Sequence, residues 1–330
     1  MKKLLQIGEK GRIQKYTSDP KKYREYEIAY VPVGASDEDI LTAGRNAEFL
    51  LVDAMGRVSA DVIRQMPNLK VIHSEGVGYQ GVDVKAATER NIYVCNCKAM
   101  NASAVAEQTI LLMLGLLKDV VNGNTSVREG KQIQTKEAYM LAGNLKELGE
   151  CTVGLIGFGD IAQATAKLLA VFGAEVLYYK RTPASEALEQ ELHARYVPLD
   201  ELLAKSDIVS LHLPVTDATR YMVNADFLKK MRPEAYLINT SRGELVDSSD
   251  LLWALENNVI AGAGLDTIDG EPVRKDNPLA NASEKADRKL LLSCHIGGIT
   301  GASFRRGYEM VWSDFEQVSR GEKPDHCVNL

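Results

Sequence analysis

The sequence predicts an α/β protein of two domains, each built on a parallel β-sheet. Three observations carry that expectation. The chain has 330 residues, room for two domains at roughly 150 residues each. Short apolar runs alternate with helix-period stretches along most of its length, the mark of parallel strands joined by crossover helices. A glycine-rich turn, Gly157-Phe158-Gly159, joins an apolar run directly to a helical stretch where a second such series begins.

In the first hundred residues the apolar runs are 27–33, 47–53, 69–73 and 92–97. Helical stretches at 37–46, 60–66 and 84–90 separate them, enough for one small α/β unit. Residues 102–119 are apolar nearly all round, so a helix there is expected to be buried between domains or subunits. Residues 120–150 are polar and irregular, with Gly123, Gly130 and Gly143, and read as a surface excursion, an arm toward a partner subunit. The second series places strands at 152–156, 175–179, 208–212, 235–239, 260–265 and 290–294. Its helices fall at 161–172, 199–204, 225–231 and 250–257. A helix at 303–319 has no strand of its own and is expected to pack back onto the first unit. The expected division is therefore 1–100 with 296–330, interrupted by a central domain at 101–295. No internal repeat competes with this reading.

Composition narrows the function classes. With 45% hydrophobic and 25% charged residues, disorder explains no large part of the chain. Lys and Arg number 39 against 45 Asp and Glu, a net charge of −6 that argues against a nucleic-acid partner. The longest apolar run, 110–117, is too short to cross a bilayer, and Lys2-Lys3 precede only Leu4-Leu5, so neither a membrane span nor a secretory leader is expected. Cys95, Cys97, Cys151, Cys294 and Cys327 form no CxxC pair and no disulfide framework, which fits a reducing, cytoplasmic setting. No metal is expected.

The loop Gly157-Phe158-Gly159-Asp160-Ile161-Ala162 follows a strand and opens a helix. Gly157 permits the tight turn, Gly159 lets backbone approach a pyrophosphate, and Ala162 allows close helix–strand packing. The N–H groups of Asp160 and Ile161 begin the helix, where an anion is favoured. A dinucleotide site follows. The next strand ends in Lys180-Arg181-Thr182, roughly 20 residues on, where NAD sites carry an acid for the ribose 2′-hydroxyl. Two cations and a hydroxyl suit a 2′-phosphate, so NADP(H) is the preferred cofactor, with NAD(H) the alternative.

Three motifs then stand at the C-terminal ends of predicted strands, the edge where open parallel sheets bind ligands. They are Asn239-Thr240-Ser241-Arg242-Gly243, Gly264-Leu265-Asp266 with Glu271-Pro272, and Ser293-Cys294-His295-Ile296-Gly297. Together they supply what a carboxylate-bearing carbonyl compound needs. An Arg can bind the carboxylate bidentately, a His can exchange a proton near neutral pH, and an acid beside the His favours its charged form and orients its ring.

With Gly76-Val77-Gly78-Tyr79, Asn101 to Glu107 and His212-Leu213-Pro214-Val215-Thr216, these motifs make the chain resemble the D-isomer-specific 2-hydroxyacid dehydrogenase family, from about residue 47 to 300. The resemblance implies two Rossmann- or flavodoxin-like domains with a catalytic cleft between them, closing on a small 2-keto or 2-hydroxy acid. It implies Arg242, Glu271 and His295 as the catalytic triad and Asp266 as the holder of the nicotinamide carboxamide. Backbone N–H groups of Val77 and Gly78 would receive the substrate carboxylate, and Val105, Leu213, Pro214, Thr219, Thr240 and Gly297 would line the cofactor. A homodimer through the 102–119 helix and the following arm is also implied.

Departures from the family pattern matter as much. Cys294 stands where the family has Pro, and reads as a small buried filler, with a redox-sensitive thiol as the alternative. Glu75 precedes the 76–78 loop, where the family carries something small. It would disfavour a second carboxylate on the substrate, recruit an amine, or simply be solvated away from the pocket. Asp53 stands where phosphoglycerate dehydrogenases place a phosphate-binding Arg, which argues against a phosphorylated substrate, although Arg57 lies close by. Met55 and Tyr79 are candidates to shape the side-chain pocket. The reading is an enzyme that reduces a 2-keto acid. D-3-phosphoglycerate dehydrogenase and a non-catalytic, dinucleotide-sensing corepressor-like protein are the alternatives, and Glu271 disfavours formate dehydrogenase relatives, which pair the His with Gln.

Overall fold

The computed structural model describes residues 1–330 and divides into two compact units. One comprises Met1–Asn101 with Ile299–Leu330, the other Ala102–Gly298.

The first unit holds a five-stranded sheet, all parallel, in the order β2-β1-β3-β4-β5. The strands are β1 (Lys2–Ile7), β2 (Tyr26–Val31), β3 (Phe49–Val52), β4 (Val71–Ser74) and β5 (Tyr93–Cys95). This is the flavodoxin-like order. β1 was not anticipated from sequence, because the polar Gln6 breaks its apolar run, yet Gln6 is fully buried. Both faces of the sheet are covered, so the strands read as continuous apolar runs. Leu5, Leu50 and Ile72 face Ile40, Val62 and Ile63 of the helices Asp37–Gly44 and Ala60–Gln65. Leu4, Phe49 and Val71 face Tyr308, Trp312 and Phe315 of the helix Gly301–Ser319. The Phe315 and Phe49 ring centroids lie 4.9 Å apart, and Trp312 Nε1 donates to Thr17 Oγ1 at 2.9 Å. Truncating such a buried aromatic costs about 3–5 kcal/mol.

The second unit holds a seven-stranded parallel sheet in the order β12-β11-β10-β9-β6-β7-β8. Its strands are β6 (Thr152–Ile156), β7 (Glu175–Tyr179), β8 (Ala194–Tyr196), β9 (Ile208–Leu211), β10 (Tyr236–Asn239), β11 (Gly262–Leu265) and β12 (Leu290–Leu292). The strand order reverses between β6 and β9, the switch point of a doubly wound fold. β8 is a three-residue edge strand containing Arg195, too short and polar to register in the apolar pattern. Helix Ala102–Leu117 buries Ala106, Thr109, Leu112 and Met113 against this sheet and leaves Leu111 exposed.

One expectation needs correction. Residues 120–142 are not irregular: they form helices Val120–Arg128 and Gln132–Ala142, and only 143–147, before the short turn Leu148–Glu150, lack regular structure as expected. Neither helix buries a residue in this chain, and Val120, Val127, Ile133, Met140 and Leu141 are exposed. Their apolar positions meet no core of the chain itself, so they left no clean amphipathic signature. No helix is long and apolar enough to cross a membrane.

Candidate active site

The phosphate loop sits at the switch point, on the C-terminal end of β6. Gly157 adopts φ +94, and a side chain there would run into the His212 carbonyl. Gly159 faces open space and begins helix Asp160–Phe172 without any side-chain cap. Most other helices of the chain receive one, as from Ser36, Ser185, Asp247 and Thr300. The first N–H groups of this long helix, at Asp160 and Ile161, are therefore left for an anion, which is the fit a dinucleotide pyrophosphate requires. Lys180, Arg181 and Thr182 follow directly after β7, and neither cation enters an ion pair. Lys180 is half-buried, Arg181 and Thr182 exposed.

The strand-end motifs are assembled by buried polar stitches. Asn239, fully buried at the end of β10, donates through Nδ2 to the Arg242 carbonyl at 2.8 Å and accepts from the Ser241 N–H at 3.0 Å. Ser241 Oγ donates to the Leu211 carbonyl at 2.6 Å. The Arg242 guanidinium meets no carboxylate; its one bond is to the Ser241 carbonyl at 2.7 Å, and the side chain is exposed. Gly243 lies so close to the Ile268–Asp269 backbone that no side chain would fit, which lets the Arg242 turn rest on the loop carrying Glu271.

His295 and Glu271 are brought together as expected: Nδ1 lies 2.6 Å from Oε2. The other Glu271 oxygen accepts from the Ile268 N–H at 2.8 Å, which fixes the carboxylate's direction. The ring Nε2 has no protein partner. His295 itself adopts φ +56, a left-handed conformation that His tolerates better than most residues.

Asp266 explains how that loop is held. It is buried, and its backbone carbonyl accepts from the His295 N–H at 2.9 Å. Its carboxylate accepts from Ser293 Oγ (2.6 Å), the Ile296 N–H (3.0 Å) and the Gly297 N–H (2.8 Å). Asp266 is thus a clamp on both sides of His295. Ser293 and Gln108, whose Nε2 donates to Ser293 Oγ at 2.9 Å, extend it. Sequence reading missed Ser293, Gln108, Asn239 and Ser241 as site builders, although Asn239, Ser241 and Ser293 lay inside the motifs.

The remaining expected cofactor residues have definite places. Val105 is buried on helix Ala102–Leu117, and Thr240 is buried with its hydroxyl 2.9 Å from Thr109 Oγ1. Leu213 is half-buried and Pro214 exposed beyond β9. The Thr219 hydroxyl is spent inside its own turn, accepting from the Thr216 N–H and donating to the Pro214 carbonyl, each at 2.8 Å. It builds the loop.

In the first unit, Val77 and Gly78 lie just beyond β4. The carbonyls of Gly76, Val77 and Gly78 are taken by the Cys97 N–H, Asn96 Nδ2 and Ser74 Oγ. The Val77 and Gly78 N–H groups have no acceptor in the protein, which leaves both free to donate to a ligand.

Two departures resolve differently from expectation. Cys294 is exposed, not a buried filler, because β12 ends at Leu292 and the chain has already left the sheet. Glu75 is neither solvated nor turned outward to a substrate; it is buried and bound to Arg12. Asp53 is bound to the same Arg12. No three or more His, Cys, Asp or Glu side chains come together as a set of metal ligands.

Residues 110–297 match the family described as D-isomer specific 2-hydroxyacid dehydrogenase, NAD binding domain. A glyoxylate reductase of Thermofilum pendens is 37% identical over 294 residues, covering 89% of this chain and 85% of that one. One from Thermococcus litoralis is 34% identical over 312 residues, covering 93% and 91%. The structure of the D-isomer specific 2-hydroxyacid dehydrogenase from Lactobacillus delbrueckii ssp. bulgaricus, NAD complexed form, superposes with a TM-score of 0.82 at 26% identity, covering 99% of this chain and 100% of that one. The chain therefore belongs to the D-isomer specific 2-hydroxyacid dehydrogenase family and is an oxidoreductase that uses a nicotinamide dinucleotide.

Proposed function

We propose that this protein reduces a small 2-keto acid, glyoxylate or a close analogue, to the 2-hydroxy acid, with D configuration where the product is chiral. The observation that carries the reading is the His295–Glu271 pair, with ring Nε2 unpartnered, at the same sheet edge as an Arg242 guanidinium that no carboxylate of the chain neutralises. Bound NADPH supplies the hydride. In the second unit Arg242 is the cation offered to a substrate carboxylate; in the first unit the Val77 and Gly78 N–H groups are the donors offered to a carboxylate. With Nδ1 donating to Glu271, His295 Nε2 presents its proton to the carbonyl oxygen, and Glu271 stabilises the imidazolium before transfer. Asp160, Ile161 and the loop glycines hold the pyrophosphate.

NADPH is preferred over NADH because Lys180 and Arg181 are both unpaired where the 2′-phosphate would lie. Phosphoglycerate is disfavoured as substrate, since Asp53 is paired with Arg12 where a phosphate-binding cation would be needed. The exposed apolar positions of helices Val120–Arg128 and Gln132–Ala142 support a homodimer formed through this arm, which light scattering of Leu141→Glu against the parent chain would test.

The direct experiment is a panel of glyoxylate, hydroxypyruvate, pyruvate and phenylpyruvate with each cofactor. Turnover of at least one acid, faster with NADPH, is expected. No consumption of either cofactor with any of them would overturn the reading and favour a dinucleotide-binding protein without catalysis.

A further inference from the structure

The free N–H groups of Val77 and Gly78 follow directly on a buried acid, the wrong charge to find beside donors left for an anion. Glu75 immediately precedes the loop and is 4% exposed. Three donors hold its carboxylate. Gln6 Nε2 and Tyr308 Oη reach Oε1 at 2.6 and 2.9 Å, and Arg12 Nη1 reaches Oε2 at 2.8 Å. The same Arg12 nitrogen reaches Asp53 Oδ2 at 2.5 Å. Asp53 Oδ1 in turn accepts from the Met55 N–H at 2.9 Å, fixing the loop after β3. The Phe304 ring lies 5.7 Å from the guanidinium carbon.

One guanidinium therefore joins two loops at the C-terminal edge of the sheet, those after β3 and β4. The helix Gly301–Ser319 closes the cluster with Phe304 and Tyr308. Glu9 Oε2 also lies 3.4 Å from Arg12 Nη2, but Glu9 is exposed, so the two carboxylates that depend on this one cation are Asp53 and the buried Glu75. Removing the cation would leave uncompensated negative charge next to the Val77 and Gly78 N–H groups. Burial pushes the Glu75 carboxyl above the usual range, and Arg12, Tyr308 and Gln6 pull against it.

We propose that Arg12 is a positioning residue for the substrate carboxylate: through its bridge between Asp53 and Glu75 it holds the 76–78 loop in place and cancels the charge beneath it. This rests on the reading that Val77 and Gly78 receive that carboxylate. Apart from the exposed Glu9 three residues before it, the partners of Arg12 are distant in sequence, Asp53 and Glu75 lying 41 and 63 residues away.

The test uses Arg12→Met and the double variant Arg12→Met with Glu75→Gln, which removes the stranded buried charge and so protects folding. Steady-state kinetics with glyoxylate, NADPH binding and amide hydrogen exchange of segment 75–80 are measured on each. In the double variant KM for glyoxylate is expected to rise about tenfold, with kcat within about threefold and NADPH affinity unchanged. The single variant should be worse. Exchange of the segment should quicken by about tenfold in both, without substrate present. Wild-type KM in the folded double variant, or wild-type exchange of the segment, overturns the proposal. A parent protein that turns over no keto acid would instead overturn the proposed function, and the exchange measurement would still decide whether Arg12 holds the loop.

Discussion

The His295–Glu271 and His73–Asp314 pairs share a chemistry and differ in everything around it. His295 and Glu271 lie 2.6 Å apart with 49% and 34% of their side chains exposed, whereas His73 and Asp314 lie 2.9 Å apart with none. His73 uses both ring nitrogens: Nε2 faces Asp314 Oδ2, and Nδ1 faces the Ser74 carbonyl at 2.8 Å. Asp314 Oδ1 takes His326 Nδ1 at 3.0 Å. Burial alone would push the Asp314 carboxyl up, but the hydrogen bonds from His73 and His326 overcome it and hold it below the usual range. This pair ties β4 to the helix Gly301–Ser319. The difference lies in the second nitrogen, because a histidine can pass a proton to a substrate only where one ring nitrogen is spare and reachable. His212 supplies a third case, with Nε2 3.0 Å from Ser210 Oγ and Nδ1 buried without a partner.

The sharpest way to break the comparison is His295→Asn, which tolerates the same positive φ but carries no transferable proton. It should lower kcat with glyoxylate by about 10³-fold while leaving stability within about 0.5 kcal/mol. An undiminished kcat would remove His295 from the chemistry. His73→Leu should do the reverse. It strands a buried carboxylate with a single partner and should cost about 3–5 kcal/mol in denaturant unfolding, with kcat per folded molecule little changed.

His212 predicts a pH dependence. Burial lowers it from the ordinary 6.5 to about 4, so the unfolded chain takes up this proton before the folded one does. Its contribution to stability is whole above the ordinary value and is lost as pH falls toward about 4, a change of up to about 3 kcal/mol. Unfolding measured across that window in the parent and in His212→Asn should diverge, and parallel curves would refute the assignment. The smallest effect concerns cations that have no partner at all. Lys180→Asp with Arg181→Ala should shift the ratio of kcat/KM from NADPH toward NADH by about ten- to a hundredfold, some 1–3 kcal/mol. A parent enzyme that already prefers NADH would show that these side chains do not read the 2′-phosphate.

Much of the site was legible because its signals are local. A tight turn between strand and helix needs glycine at Gly157, and helix N–H groups follow it in sequence. Strand ends of a parallel sheet collect at one edge, so Arg242, Glu271 and His295 were readable from their positions after β10, β11 and β12. Cys294 misled because the length of β12 was overestimated by two residues, and those two residues separate a buried position from an exposed one.

The sequence by itself determined the alternation of strands and helices, the phosphate loop, the basic end of β7 and the three strand-end motifs. Each depends on residues within one turn or one strand of each other. Only the tertiary structure decided that Lys2–Ile7 is an inner strand, that 120–142 is two helices with outward apolar faces, and that Asp266 holds the His295 loop. It alone decided that Glu75 points inward onto Arg12. These outcomes depend on which strands become neighbours, and burial then gives distant polar residues no partner except one another.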